Sequence, residues 1–577
     1  MNEILNLKSQ ISNSLGKIVK ELIGLDIEPQ IDIPNDLSKG DYTTNVAMIA
    51  FGNLKKQESR SKNYGSAMEL AKEMVSLLNT KYKILDTFSL VEAKEPGFIN
   101  FWLSNQEVEK QLAYILSGKG LISDEKARKE IIFEFGDPNP FKEPHIGHLR
   151  IFAVGEAVCR MLEADGNYVI RANYQGDVGL HVAKALYGIM NHESGIKGLD
   201  SGSLEEKAKF LGEAYVMGAK AFEEDAKAKK EIISINNKIY SKDSEIFEIW
   251  EKGRNWSLEY FETLYKALGI KYDKYYFESQ TAAEGLKIVE ENSPKIFEKN
   301  DGAYIFRGEK VGLHTRVFVT SEGYATYEGK DLALAIMKDK DFPDISLSII
   351  MTANEQMEYF KVLIKALSEV NKKIADKASH LSVGFVNLKE GKMSSRTGNI
   401  IGANWLIDEV RKQLKKRFKE VKNEILDEIS VGAVKWSMLK FSRQSNISFS
   451  IDESVDLAGN SGPYMQYTYA RIASLLSKSL ITNFEAKSVK SLDQDLLALS
   501  RLACQFEIQT KKAIDSFSPN ILTDYLFKVA QTFNSYYEKE KIIGSPKEME
   551  KLFVAKGVGE VIKRGLYLLG IESPAKI

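Results

Sequence analysis

Cysteine is almost absent from this chain: Cys159 and Cys504 are the only two in 577 residues. They stand far apart, and neither belongs to a CxxC pair or a Cys/His cluster with zinc-ligand spacing, so neither a disulfide framework nor a structural zinc is implied. Long apolar runs are missing as well, none approaching the roughly 20 residues that cross a bilayer. The opening Met1-Asn2-Glu3-Ile4 lacks a basic stretch followed by an apolar core, and a cytoplasmic protein without a membrane anchor is expected. Net charge is lacking too. Lys and Arg number 79 against 80 Asp and Glu, so bulk electrostatics points to no polyanionic partner and any nucleic-acid surface must be local. Internal repeats and low-complexity tracts are absent.

What is present is an ordinary globular composition, 44% hydrophobic and 28% charged, at a length that calls for two to four domains. Residues 4 to 23 carry a helical stripe of Ile4, Leu5, Leu7, Ile11, Leu15, Ile18, Val19 and Leu22, and Gly97 opens a strand through Trp102. A small α+β domain over 1–122 is expected, with a boundary near residue 123 in a charged stretch. Next comes alternation: strand 131–135, helix 145–164, strand 168–172, then strands 345–351 and 382–388. That pattern argues for a parallel α/β sheet over 123–405. The span 193–340 reads as an insertion, with long charged helices and a hairpin pairing 302–306 with 315–319. From 406 to 577 helical periodicity takes over, as in Ile407, Val410, Leu414, Phe418 and Val421. A helical bundle is expected there.

The most informative stretch leaves the strand at Phe135 as Gly136-Asp137-Pro138-Asn139-Pro140-Phe141-Lys142-Glu143-Pro144, then His145-Ile146-Gly147-His148. Pro144 suits the first helical position, where a missing N–H is harmless. His145 and His148, spaced i, i+3, share a face near the helix start, where free N–H groups and the dipole favour polyphosphate. Gly147 removes a side chain, letting a flat group such as adenine approach. Otherwise the two histidines merely decorate a helix start. A second piece, Gly391-Lys392-Met393-Ser394-Ser395-Arg396-Thr397-Gly398-Asn399, follows a strand. Its glycines allow movement, and its cations and hydroxyls suit charge building on phosphoryl oxygens. Alone it reads equally as a solvated basic loop.

Together these segments resemble the HIGH and KMSKS signatures of class I aminoacyl-tRNA synthetases. Within that class the runs Glu134 to Lys142, Gly176-Asp177-Val178-Gly179 and Tyr327-Glu328-Gly329-Lys330-Asp331-Leu332-Ala333 are similar to arginyl-tRNA synthetases. So are Gly40 to Ala47 with Pro96 to Asn100, similar to that family's additional amino-terminal domain, and Gly462 to Arg471, similar to its anticodon-binding domain. The resemblance covers nearly the whole chain. It implies a Rossmann-like catalytic domain, an amino-terminal domain touching the tRNA elbow, and an all-α anticodon-binding bundle. It implies ligation of L-arginine to tRNA(Arg) with ATP and Mg²⁺, by a chain expected to be monomeric, often with tRNA required before arginine is activated. His145, His148, Gly147, Met393, Ser394, Ser395 and Arg396 are then expected at ATP, with His145, His148, Lys142 and Lys392 catalytic. The loop departs from KMSKS where Ser395 stands for lysine, and the resemblance implies that Lys142 can supply the missing charge.

Glu134 interrupts an apolar strand, and a buried carboxylate needs a partner. A guanidinium from the substrate would match it bidentately; an internal arginine such as Arg171 is the alternative. By resemblance Asp331 is the second carboxylate for the guanidinium, with Tyr327 one turn earlier and Gln356 nearby. Asp137 and Asn139 are expected at the α-amino end, and His148 is also expected to contact the arginine. No metal-ligand set is assigned. The helix about 407–421 carries Arg411, Lys412, Lys415, Lys416, Arg417 and Lys419, a solvated face or a tRNA contact. Tyr464, Tyr467 and Tyr469 with Gln466 and Arg471 are residue types that stack and clamp bases, or pack a core. Two other readings compete: another class I synthetase or a small nucleotidylyltransferase, and a catalytically silent RNA-binding paralogue.

Overall fold

The computed structural model describes residues 3–34, 36–56, 64–82, 87–118, 129–192, 196–389, 401–481 and 492–577. The amino-terminal unit is α+β. Strands β1 (Tyr42–Thr44), β2 (Phe88–Lys94) and β3 (Phe98–Leu103) form an antiparallel sheet ordered β1-β3-β2. Helix Glu3–Ile23 buries Leu7, Ile11, Leu15, Ile18 and Val19, one face of the expected stripe. The side chains of Ile4 and Leu5, and the boundary near 123, lie outside the described residues.

The central sheet is parallel. Strands β4 (Glu130–Phe135), β5 (Tyr168–Gln175) and β6 (Lys274–Phe277) run outward in one direction. The antiparallel trio β7 (Glu298–Asn300), β8 (Ala303–Phe306) and β9 (Arg316–Val319) contains the expected hairpin. Then β10 (Leu347–Ala353) pairs on the other side of β4, and β11 (Ala378–Val383) follows it, giving the order β11-β10-β4-β5-β6. Strand order reverses at β4, and in open α/β sheets ligands bind at such a switch, beyond the carboxyl ends of the strands. Along β4 the side chains alternate. Ile131, Phe133 and Phe135 pack with Leu149 and Phe152 of helix Ile146–Ala164, while Ile132 packs with Leu334 of helix Tyr327–Asp341. Both faces are covered, as a parallel sheet requires.

Two readings of the sequence are corrected here. The span 193–340 is not one continuous insertion, since β6 within it joins the sheet edge. The strand expected at 382–388 is two: β11 ends at Val383, and β12 (Val386–Leu388) pairs instead with β13 (Ile447–Phe449). Gly384 makes the break. A Cβ there would lie 2.2 Å from the Ser445 carbonyl oxygen, so only glycine lets the backbones meet. Beyond β13 the described chain is helical, from Gly462–Lys478 to Glu548–Leu568.

Arg150 ties these parts together. Fully buried on the histidine-bearing helix, it donates to the backbone carbonyls of Gly384 (2.9 Å), Phe385 (3.1 Å), Ser442 (3.0 Å), Arg443 (3.3 Å) and Ser445 (2.6 Å). A charged donor to a buried carbonyl is worth about 1.5–3 kcal/mol, and orphaned carbonyls add a penalty. Arg150→Ala should therefore destabilise the catalytic half by at least about 3 kcal/mol, read as an earlier denaturant midpoint; an unchanged midpoint would show that water replaces the guanidinium.

Candidate active site

The loop after β4 is shaped by burial. Gly136 has φ 95°, and a Cβ there would sit 2.3 Å from Phe152, so the turn requires glycine. Asp137, itself at φ 43°, accepts the Tyr174 N–H at 2.7 Å, and the Asn139 side-chain oxygen accepts the Gly176 N–H at 3.1 Å. Each holds the loop to the end of β5 through one side-chain oxygen.

The helix begins one residue later than expected. His145 is its N-cap, and Pro144 precedes the cap rather than opening the helix. The two imidazoles do the capping themselves. Nδ1 of His145 accepts the Gly147 N–H, Nδ1 of His148 accepts the His145 N–H, both at 3.1 Å, and the rings stand 3.9 Å apart. The Ile146 N–H goes to the Ile401 carbonyl. The helix start therefore does not offer the row of free N–H groups that the sequence suggested. Two Nδ1 acceptors leave the proton of each neutral ring on Nε2, so the donors available to a phosphate are the Nε2–H groups. Gly147 makes room for the His145 ring, 2.9 Å from where a Cβ would stand. Burial, then the charges of His145 and Lys142, pushes His148 down to about 3, and burial with Lys142 lowers His145. Both are neutral donors at pH 7.

Lys142 points its ammonium over the Tyr215 ring at 4.4 Å and contacts no carboxylate among the described residues. The segment holding Lys392, Met393, Ser394, Ser395 and Arg396 lies outside the described residues. Its flanks are placed: Lys389 N–H bonds the Phe449 carbonyl, and Gly402 bridges His145.

Four acids line the far side of this edge. Glu134 is 4% exposed, on the face of β4 that helix Tyr327–Asp341 covers, and pairs with Lys338 of that helix. Arg171, the alternative named above, pairs with Glu156 (2.8 Å) and Glu163 (2.5 Å). Glu278, at the end of β6, pairs with Lys330 at 2.6 Å. Asp331 accepts the Tyr359 hydroxyl at 2.5 Å. Burial pushes Asp331 up to about 8, against the Tyr359 bond, and burial together with Glu134 raises Asp137. Tyr327 is 59% exposed at the rim, and Gln356 is exposed beyond β10, one turn from Tyr359.

The model of the catalytic domain of class I (R) tRNA synthetases matches residues 111–451. The chain belongs to the class I arginyl-tRNA synthetases. The arginyl-tRNA synthetase N-terminal domain matches residues 5–103 and the DALR anticodon-binding domain 465–577. An arginine–tRNA ligase of Flavobacterium psychrophilum is 28% identical over 99% of this chain and all of its own. One of Borreliella afzelii is 29% identical over 88% of this chain and 89% of its own. Solved arginyl-tRNA synthetases of Plasmodium falciparum and Thermus thermophilus share the fold, each with TM-score 0.79 at 22% identity over 99% of this chain and 99% and 100% of theirs.

Seen as an arginyl-tRNA synthetase, the chain places other sequence features as follows. Gln466 is buried and donates to the Glu428 and Glu572 carbonyls, and Tyr464 packs on Phe527, so both are core. Tyr467 is open, and the Arg471 guanidinium lies 5.2 Å from both the Tyr467 and Tyr537 rings. They line a groove of about 800 Å³ with Lys478, Lys541 and Lys576. The basic helix ends at Arg417, and much of its charge is held within the chain: Arg411 by Asp427, Lys412 by Glu409, Arg417 by the Val455 carbonyl. Glu278, Lys330, Lys338 and Tyr359 were missed in the sequence, where nothing distinguishes them from other helix residues.

The His148 ring should keep its Nε2–H tautomer far below the usual 6.5, titrating near 3. Its neutral burial stabilises the fold fully above 6.5, and that stability is lost as pH falls toward 3. Imidazole ¹⁵N shifts across pH 3–8 check this; an ordinary titration near 6.5 contradicts the cap geometry.

Proposed function

We propose that this chain is an arginine–tRNA ligase. The arginine carboxylate attacks the α-phosphorus of ATP in line, pyrophosphate leaves, and a terminal ribose hydroxyl of tRNA(Arg) then attacks the adenylate carbonyl and releases AMP. The observation that carries the reading is the juxtaposition, at one sheet edge, of two neutral imidazole donors and a buried acid, Asp331, with no cation in contact among the described residues. No side-chain nucleophile is required; catalysis is positioning plus stabilisation of phosphoryl charge.

The roles follow from what each group can do. The Nε2–H groups of His145 and His148 donate to phosphate oxygens, Gly147 lets the nucleotide lie close, and Lys142 leaves Tyr215 to meet the phosphates. Lys392, Met393, Ser394, Ser395 and Arg396 complete the ATP site. Asp331 takes the guanidinium, with Glu134 behind it and Tyr327 and Gln356 at the rim. Asp137 and Asn139 hold the α-amino group. Among the described residues no group of three or more His, Cys, Asp or Glu could cage a metal. Mg²⁺, where bound with ATP, would supply charge neutralisation at the phosphates. Tyr467, Arg471 and Tyr537 suit stacking of unpaired anticodon bases. Among the described residues no helix is long and apolar enough to cross a membrane; a monomer working in the cytoplasm is our reading, with domains at 1–122, 123–405 and 406–577.

Charging of unfractionated tRNA with each labelled amino acid in turn tests the reaction. Arginine alone should be incorporated; another amino acid, or none, overturns the reading. Because Asp331 is mostly protonated at pH 7 in the empty pocket, guanidinium binding releases a proton. Specificity for arginine, as kcat/KM, should rise about tenfold per pH unit and level off near 8. Asp331→Asn should flatten that limb and lower kcat/KM by about 30-fold or more.

A further inference from the structure

Helix Tyr327–Asp341 carries Asp331 and also two buried lysines that reach other acids. Lys330 meets Glu278 at 2.6 Å, and Lys338, two turns beyond Asp331, meets Glu134. Lys338 is 1% exposed, and it lines one cavity of about 20 Å³ together with Asp331 and Ser348. Thus four carboxylates (Glu134, Glu278, Asp137, Asp331) face two ammonium groups (Lys330, Lys338), and two carboxylates are left uncompensated. Arginine brings two cations, its guanidinium and its α-ammonium. The charges balance only when Glu134 and Glu278 stay ionised.

We propose that Lys338 is a positioning residue of the arginine pocket, holding the Glu134 carboxylate fixed behind Asp331 so that both acids face the substrate. The inference rests on the arginine reading above. Glu134 is buried on the same face of β4 as Ile132, which packs with Leu334 and Ile345, and a carboxylate so buried, deprived of its cation, takes up a proton. The pocket would then be one charge short, and arginine would have to displace one further proton.

Other charged or titratable groups facing the pair are Asp331 and Asp339 on the same helix, and Asp137 in the loop after β4. Tyr174 on β5, Tyr276 on β6, Tyr359 on helix Met357–Val370 and Lys377 on helix Lys372–Lys377 complete the set. Asp331 and Asp137 are present in the unaltered pocket as well, so a further proton that appears when Lys338 is removed is assigned to Glu134.

The test is the pH dependence of kcat/KM for arginine in the tRNA-charging reaction, at saturating ATP and tRNA. Below pH 8 the slope of its logarithm should be steeper by about 1 in Lys338→Met than in the unaltered protein. The variant's KM should rise at least about 30-fold at pH 7 and recover toward pH 9, with kcat within about twofold. Lys338→Arg should keep the slope of the unaltered protein. Glu134→Gln combined with Lys338→Met should be no worse than Glu134→Gln alone, and it provides a folded control where Lys338→Met misfolds. An unchanged slope in Lys338→Met, or equal losses in kcat and KM at every pH, would overturn the proposal. Absence of arginine charging by the unaltered protein would instead overturn the reading beneath it.

Discussion

The ion pair between Glu134 and Lys338 is the contact on which the catalytic half turns. A charged side chain in the middle of a sheet covered on both faces is tolerable only with a counter-charge at hand. Helix Tyr327–Asp341 supplies that counter-charge while packing Leu334 beside Ile132. Once Lys338 is seated on Glu134, the phase of the helix is set, and Asp331, seven residues earlier, points into the same space. Tyr359 then closes on Asp331 from the following helix. A polar contact thus fixes what apolar packing alone leaves free, the rotation of one helix about its axis.

The histidine motif solves a different problem. A helix start at a sheet edge leaves backbone donors unsatisfied, and here two imidazoles and the Ile401 carbonyl fill them. Using Nδ1 in the cap dictates the tautomer, and burial keeps the rings uncharged. Two kinds of group thus stand apart: neutral donors at the helix start, and the Lys142 ammonium, which lies over an aromatic ring and meets no acid among the described residues.

How much of this was legible beforehand depended on the range of the interaction. The parallel sheet, the helix after it and the hairpin at 302–319 follow from local period and turn residues, and they stand within a few residues of where the sequence puts them. The strand break at Gly384 was not legible, because its cause is the backbone near Ser445. Nor was β6, four residues long amid helices and short of a clear alternating signal. The buried acid was readable at Glu134, since one carboxylate among Ile132, Phe133 and Phe135 demands explanation. Its partner was not: Arg171, on the adjacent strand, was the nearer candidate, and the cation came from Lys338, 204 positions downstream. Arg171 points to the opposite face, to Glu156 and Glu163, as the alternation of β5 requires.

That separation also bears on how the second signature can act. The described flanks of the Lys392 segment are pinned at both ends, by β12 against β13 on one side and by the His145 to Gly402 bridge on the other. Arg150, one turn beyond the cap, binds the backbone of residues 384–385 and 442–445 that leads into those same strands. Whatever the segment does during a turnover, its ends are built into the helix that carries the histidines. The described residues on either side of that segment are thus tied to the histidine-bearing helix by backbone hydrogen bonds and one buried guanidinium.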